Sequence, residues 1–300
     1  MTHNDGNDRP EYLTTAEAAA YLRLKERKVY DLVRQEQMPC VRVTGKLLFP
    51  RQAIDRWLMN HLKGDEGNAT PVAPVLAGSH DPLLDWAARE SGSSLAQLCH
   101  GSMDGTRRLL EDRAMLAGLH VLDPNDGRYN QPQALGLGGL RDLVLIHWAN
   151  RTQGLLLAPG NPKGIREIRD LAGAGLRIAF RQSGAGTDTL FRWMLQREGL
   201  DPSTLELVSH PSLTEDDLAL SIREGEADVG LAVEAAARRH ALHFIPVHRE
   251  QFDLAMRRRN YFEPALQRLL EFARGPRLRD KAHSMGGYDV SRIGSVIYNA

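Results

Sequence analysis

Apolar residues follow two different rhythms along this chain. Between residues 11 and 62 they recur at helical spacing, as Ala18, Ala19 and Leu22, then Val29, Leu32 and Val33, then Ile54, Trp57 and Leu58. Spacing of three and four predicts three short helices, each with one apolar stripe. Thr14 and Glu17 form a capping-box pattern at the first of them. A tight turn near Leu24 separates the first two helices, and the second ends near Met38–Pro39. The stretch VRVTGKLLF alternates around Thr44–Gly45, which predicts a hairpin. A closing helix runs from Arg51 to Leu62, with Ile54, Trp57 and Leu58 facing inward.

From Val75 onward the rhythm changes. Short apolar runs at 75–77, 119–122, 143–146, 155–158, 176–180, 229–233 and 244–247 read as buried strands. Helical patterns lie between them, around 83–89, 105–116, 165–171, 187–197, 216–224 and 232–240. Strands alternating with helices predict an α/β architecture with a parallel sheet, or two. Residues 64–74, GDEGNATPVAP, have no periodicity and read as a linker. No solenoid-type repeat is visible. The run Arg257–Arg259 reads as a solvated helix face.

Charge sharpens the picture for the first segment. The whole chain has 38 basic and 38 acidic residues, so any affinity for nucleic acid must come from local clustering. Between Tyr21 and Leu58 nine Arg or Lys residues face four acids, concentrated on the second helix and the hairpin tip. Basic side chains grouped in this way suit phosphate contacts. The two cysteines, Cys40 and Cys99, form no motif and argue against a disulfide framework or a cysteine zinc site. No signal-peptide pattern and no membrane-spanning run is evident, so a cytoplasmic protein without membrane association is expected.

In the second segment three Gly- or Ser-rich turns lead into helices: AGSHDPLLDWAA, HGSMDGTRRLL and RQSGAGTDTLF. Unpaired N–H groups at a helix start, together with the dipole, make each a natural anion seat. Arg181 adds a permanent charge able to grip oxygens. Catalysis is less well supported. His80, His100, His120 and His147 are present with Asp81, Asp85 and Asp104, yet there is no histidine pair at metal-binding helical spacing and no Gly-x-Ser-x-Gly elbow. No enzyme, no metal and no cofactor is expected.

The motifs LTTAEAAAYL, KVYDLVRQEQMP and FPRQAIDRWL resemble the excisionase and MerR-like winged helix-turn-helix family, with Gln37 where that family usually has Gly. The resemblance implies a DNA-binding domain over residues 1–63. Lys25, Arg27, Lys28, Tyr30 and Arg34 would then face double-stranded DNA from the recognition helix, with Arg42 and Lys46 on the wing. The motifs GSMDGTRRL, GLHVLDPNDGRYN, RTQGLLLAPGNPKGI, LRIAFRQSGAGTDTLF and GEADVGLAVEAAAR resemble the type II periplasmic-binding-protein fold, including the molybdate-binding proteins. That likeness implies a ligand domain over 75–300. One lobe would hold about 75–155 and 248–300, and the other about 160–247.

By position, the resemblance places Ser79, His80, Ser102, Met103, Arg181, Ser183, Gly184 and Thr187 at the ligand, with Glu234 after the last strand of the second lobe. Tyr129 and Asn130, in the pair YN, and Arg151 and Gln153, in RTQ, match the fused family better than the molybdate binders, which suggests a larger ligand, such as a molybdopterin-type one, or a structural hinge. Glu234 would meet a ligand amine or hydroxyl, hold Arg181, or only begin a helix. The implied function is a ligand-responsive transcriptional regulator, acting as a homodimer or homotetramer. Its effector is expected to be a small anion, molybdate or tungstate first, with a molybdopterin-type ligand or a small carboxylate such as formate as the alternative. An enzyme of molybdenum cofactor metabolism is the competing class.

Overall fold

The computed structural model describes residues 12–43, 45–60, 72–173 and 175–300, which form two compact units, residues 1–71 and 72–300. The expected linker lies almost wholly outside the described residues.

In the first unit β1 (Tyr12–Leu13) leads into α1 (Thr15–Leu22) and α2 (Glu26–Arg34). The hairpin β2 (Val41–Val43) and β3 (Lys46–Pro50) follows, and α3 (Arg51–Asn60) closes the unit. Thr14 caps α1 reciprocally with Glu17, as its sequence predicts. The chain leaves α1 through Arg23 in the left-handed region (φ 53°), which turns it sharply into α2. Glu36, also left-handed (φ 55°), ends the turn after α2; the residue that takes this conformation stands one position before Gln37. Val29 and Val33, one turn apart, carry the buried stripe of α2 into a core with Ala18, Ala19, Phe49 and Ile54. Leu58 does not join that core; it is exposed, one turn beyond Ile54 on the same side of α3.

The second unit comprises β4 (Val75–Gly78), α4 (Pro82–Glu90), β5 (Ala96–Leu98), α5 (Ser102–Leu110), β6 (Leu116–Leu119), β7 (Leu143–Leu157), β8 (Ile178–Ala179), α6 (Gly186–Arg197), α7 (Glu215–Arg223), β9 (Val229–Val233), α8 (Glu234–Arg239), β10 (His243–Arg257), α9 (Arg258–Tyr261), α10 (Pro264–Arg274), α11 (Pro276–Met285), β11 (Tyr288–Asp289) and β12 (Val296–Asn299). One mixed sheet runs through it in the order β5-β4-β6-β10-β7-β9-β8, with β11 and β12 also paired to β7. β4, β5 and β6 are mutually parallel, as are β8 and β9, whereas β7 and β10 are antiparallel along almost their whole length.

Those two strands correct the reading of the sequence most. The runs 143–146 and 155–158 belong to one fifteen-residue strand, and 244–247 is only the beginning of another. The polar residues between the runs look like a loop in isolation, but cross-strand partners keep the backbone paired. The strand expected at 119–122 lies at Leu116–Leu119, and the helix expected at 165–171 is a 3-10 segment, Ile168–Ala172. Ala232 and Val233, where the expected strand and helix overlap, finish β9, and the helix begins at Glu234. Arg257 is not on a helix face: it ends β10 and pairs with Asp142 at 2.8 Å.

Each end of the β7–β10 ribbon enters a different core. Ile146, Trp148, Phe252 and Leu254 pack with Leu83, Leu84 and the α10 leucines Leu269 and Leu270. Leu155 and Leu157 pack with Ile178, Leu190, Phe191 and Val229. Two lobes result, joined by a ribbon whose register slips at Pro246/His248 and at Phe252/Asp253. Such irregularities bend a strand and increase its local twist. No helix among the described residues is long and apolar enough to cross a membrane.

Candidate effector site and nucleic-acid interface

In the first unit the basic side chains singled out in the sequence are on the surface. Lys25, Arg27, Lys28, Tyr30 and Arg34 project from the start and exposed face of α2, and Arg42 and Lys46 from the hairpin. Tyr30, Arg42 and Lys46 share one groove of about 550 Å³ with Thr14 and Thr15 at the start of α1. Arg34 is partly neutralised by Asp31 at 3.0 Å.

In the second unit the three predicted turns do meet where the lobes face each other. Ser79, after β4, sets its Oγ 2.9 Å from the Oγ of Ser102, the first residue of α5. The His120 N–H donates to the same Ser102 oxygen at 3.3 Å. Across from them lies the turn before α6. Gly101 has φ 106°, and a Cβ there would come 2.9 Å from the Gly184 carbonyl oxygen; one on Gly186 would come 2.4 Å from the His120 carbonyl oxygen. Glycine at these two positions is what lets the turns of the two lobes touch. Neither α5 nor α6 has a side-chain cap at its N-terminus, as is also true of α2, α8, α9, α10 and α11; α1, α4 and α7 are capped by Thr14, Asp81 and Thr214. Ser183 and Gly184 lie on the open rim of this junction, and Met103 is 43% exposed beside it.

The charged residues of this region are bound to one another. Arg181 is buried, with Nη1 3.1 Å from Glu215 Oε1 and further hydrogen bonds to the carbonyls of Ser212 and Leu213. Its charge is therefore turned into its own lobe. Thr187 donates to Glu215 Oε1 at 3.1 Å, and the Val233 N–H donates to Glu215 Oε2. Glu234 begins α8, pairs with Arg238 one turn on at 2.7 Å, and packs on Gly287. Helix initiation is thus the role its geometry supports, and the partner of Arg181 is Glu215.

Arg151 sits in the middle of the ribbon with no exposed side-chain surface. It bonds Asp81 at 2.9 Å, Glu250 through Nε at 2.8 Å and through Nη2, and lies 4.4 Å over the Phe252 ring. Burial alone would push the Glu250 carboxyl up, but the Arg151 guanidinium and His120 bring it down to about 2. His120 Nδ1 is 2.9 Å from Glu250 Oε2. Tyr288 donates to Asp81 at 2.7 Å, and burial, followed by the Asp81 charge, raises its phenol well above the ordinary value. Asn130, left-handed at φ 55°, takes the Val121 N–H and donates to Leu119 O and Asp253. Asn130 and Arg151 therefore brace the ribbon between the lobes. His80 is half-buried, with Nδ1 lacking a hydrogen-bond partner among the described residues. No cluster of three metal-ligating side chains exists among the described residues.

Glu215 and Glu250 were not legible as site residues. Glu215 follows Thr214 in what reads as an ordinary acidic helix start. Glu250 lies in HREQFDLAM, beyond the run 244–247 read as a strand.

A winged three-helix unit and a two-lobed domain hinged on crossing strands define a DNA-binding module joined to a ligand-binding one. Family models match both, a helix-turn-helix domain over residues 12–61 and a PBP superfamily domain over residues 85–274. The chain belongs to the PBP superfamily domain family and carries an excisionase-like helix-turn-helix domain at its N-terminal end. It is similar to the uncharacterized protein YvgK of Bacillus subtilis (strain 168), 24% identical over 95% of this chain and 97% of that one. Similarity to an uncharacterized protein from the 5′ region of a ferredoxin 2Fe-2S gene of Clostridium pasteurianum is 22%, over 33% of this chain and 88% of that protein. Among solved structures it resembles a protein from Clostridium perfringens assigned as a phosphate ABC transporter substrate-binding protein, with phosphate bound. The TM-score is 0.53 at 13% identity, covering 74% of this chain and 98% of that one. That likeness concerns the fold.

Proposed function

We propose that this chain is a transcriptional regulator whose effector is a small anion held between the lobes at the facing starts of α5 and α6. The observation that carries the reading is that two helices without side-chain caps point their first turns at one junction, beside the Ser79–Ser102 hydroxyl pair. First-turn N–H groups lack intrahelical partners and carry the positive end of the dipole, so an anion there satisfies both. The effector shifts the protein between lobe arrangements only by its differential affinity for them. A single winged unit makes few base contacts, so a homodimer or homotetramer on repeated half-sites fits the module. The reaction chemistry of an enzyme plays no part in this reading; both domains are of binding type. Calorimetry with molybdate, tungstate, sulfate, phosphate and formate, each repeated with operator DNA present, is the test. Anion binding that leaves DNA affinity unchanged would remove the regulatory half of the proposal.

A further inference from the structure

One buried acceptor at the junction has no donor. Gln153, on β7, is fully buried and its Nε2 donates to Glu250 Oε1 at 2.9 Å and to Thr187 Oγ1 at 3.4 Å. The Glu250 carboxylate fixes the amide in this sense, because reversal would set Oε1 against it. Gln153 Oε1 is left without a hydrogen-bond partner among the described residues. Nearby donors are already committed. Thr187 gives its one proton to Glu215, Arg181 binds Glu215 and two carbonyls, and Arg151 binds Asp81 and Glu250. A buried carbonyl left in this state is destabilising. Thr187 belongs to the first turn of α6, so this acceptor and the proposed anion seat adjoin.

Three buried carboxylates, Asp81, Glu215 and Glu250, face two guanidinium groups, Arg151 and Arg181, and offer this oxygen no proton. Any anion adds negative charge there, and an oxyanion without protons also brings no donor. A ligand with an O–H supplies the missing donor.

Resting on the anion-seat reading above, we propose that the effector is a small anion bearing its own O–H, and that Gln153 Oε1 accepts from it and selects it over aprotic oxyanions. Hydroxylated carboxylates and hydrogen phosphate share this chemistry. The acceptor acts on specificity, while the helix starts and serine hydroxyls hold the anionic head.

Calorimetry on the full chain at pH 7 with matched probes tests this: glycolate against acetate, and phosphate against sulfate and molybdate. The O–H-bearing member of a pair is expected to bind about 10- to 100-fold tighter, the equivalent of one satisfied buried acceptor. Preference confined to glycolate or to phosphate identifies the source, and both outcomes support the proposal. Gln153→Met should bring the ratio near one by weakening only the O–H-bearing probe; the ratio in the native protein decides the matter even if this variant folds poorly. Equal or tighter binding of the aprotic member in both series overturns the selection by Gln153 and leaves the anion seat standing. Silence from both series, with DNA binding intact, overturns the anion seat itself and this inference with it.

Discussion

Arg151 and Glu250 are directly opposed on β7 and β10, the two strands both lobes share, and neither side chain has exposed surface. Removing two charges from water is costly, and the pair is stable because Asp81, His120 and Gln153 complete its hydrogen bonds. The arrangement makes the ribbon between the lobes a polar element with a single well-satisfied geometry.

That pair gives the protein an acid-sensitive element. The Glu250 carboxyl falls from an ordinary value of 4.5 to about 2 in the folded chain. A group depressed on folding contributes stability above its unfolded value and loses it as pH falls through the folded one. Stability should therefore decline between about pH 4.5 and pH 2, by about 3 kcal/mol from this group. Denaturant midpoints measured across that range should fall less steeply in Glu250→Gln. Parallel curves for the two proteins would show that Glu250 is not the group responsible.

Arg181 and Glu215 make the second buried pair. Arg181→Ala leaves the Glu215 carboxylate buried with only Thr187 and the Val233 N–H, and is expected to cost about 3 kcal/mol. Arg181→Met combined with Glu215→Leu should recover most of it, because no unpaired charge remains. Thermal unfolding of the single and double variants checks this. A single variant as stable as the native chain would mean that the ion pair does not hold the second lobe.

Contact between the lobes depends on Gly186. An alanine there would press its Cβ against the His120 carbonyl at 2.4 Å, so Gly186→Ala should hold the lobes apart. Small-angle scattering should show a larger radius of gyration, and affinity for the anionic effector should fall about tenfold or more. Gly139→Ala, with open space around its Cβ, serves as the control. Scattering identical to that of the native protein would rule out steric control at this point.

For the DNA-binding unit, Arg27→Ala or Lys28→Ala should weaken binding across all sequences and reduce the salt slope by about one per lost phosphate contact. Arg34→Ala should do less, since Asp31 already neutralises part of its charge. Fluorescence anisotropy at several salt concentrations reads both quantities. An unchanged slope in the first two variants would move the docking face away from α2.

The first unit was legible almost residue by residue. Its signals are local: a Thr14–Glu17 cap, valines one turn apart in α2, a hairpin about Gly45 and a cluster of basic residues. Leu58 is the exception, because an apolar stripe does not say how far along a helix the core extends.

In the second unit local patterns were enough to show strands alternating with helices, the three turns that open helices, and serine, threonine and arginine beside them. They did not show that β7 and β10 are single long strands. Their polar middles are stabilised by partners about a hundred residues away, such as Arg151 with Glu250, and nothing within either segment announces the other. Which charges oppose each other is set by the folded sheet. Arg181 reads as free to grip a ligand until Glu215 is seen against it, and nothing in the sequence shows that the Gln153 oxygen lacks a donor. Helix starts, caps and hairpins are set by neighbouring residues. A buried polar network is set by whichever distant partners satisfy it, and in this chain those partners meet only when the sheet closes around them.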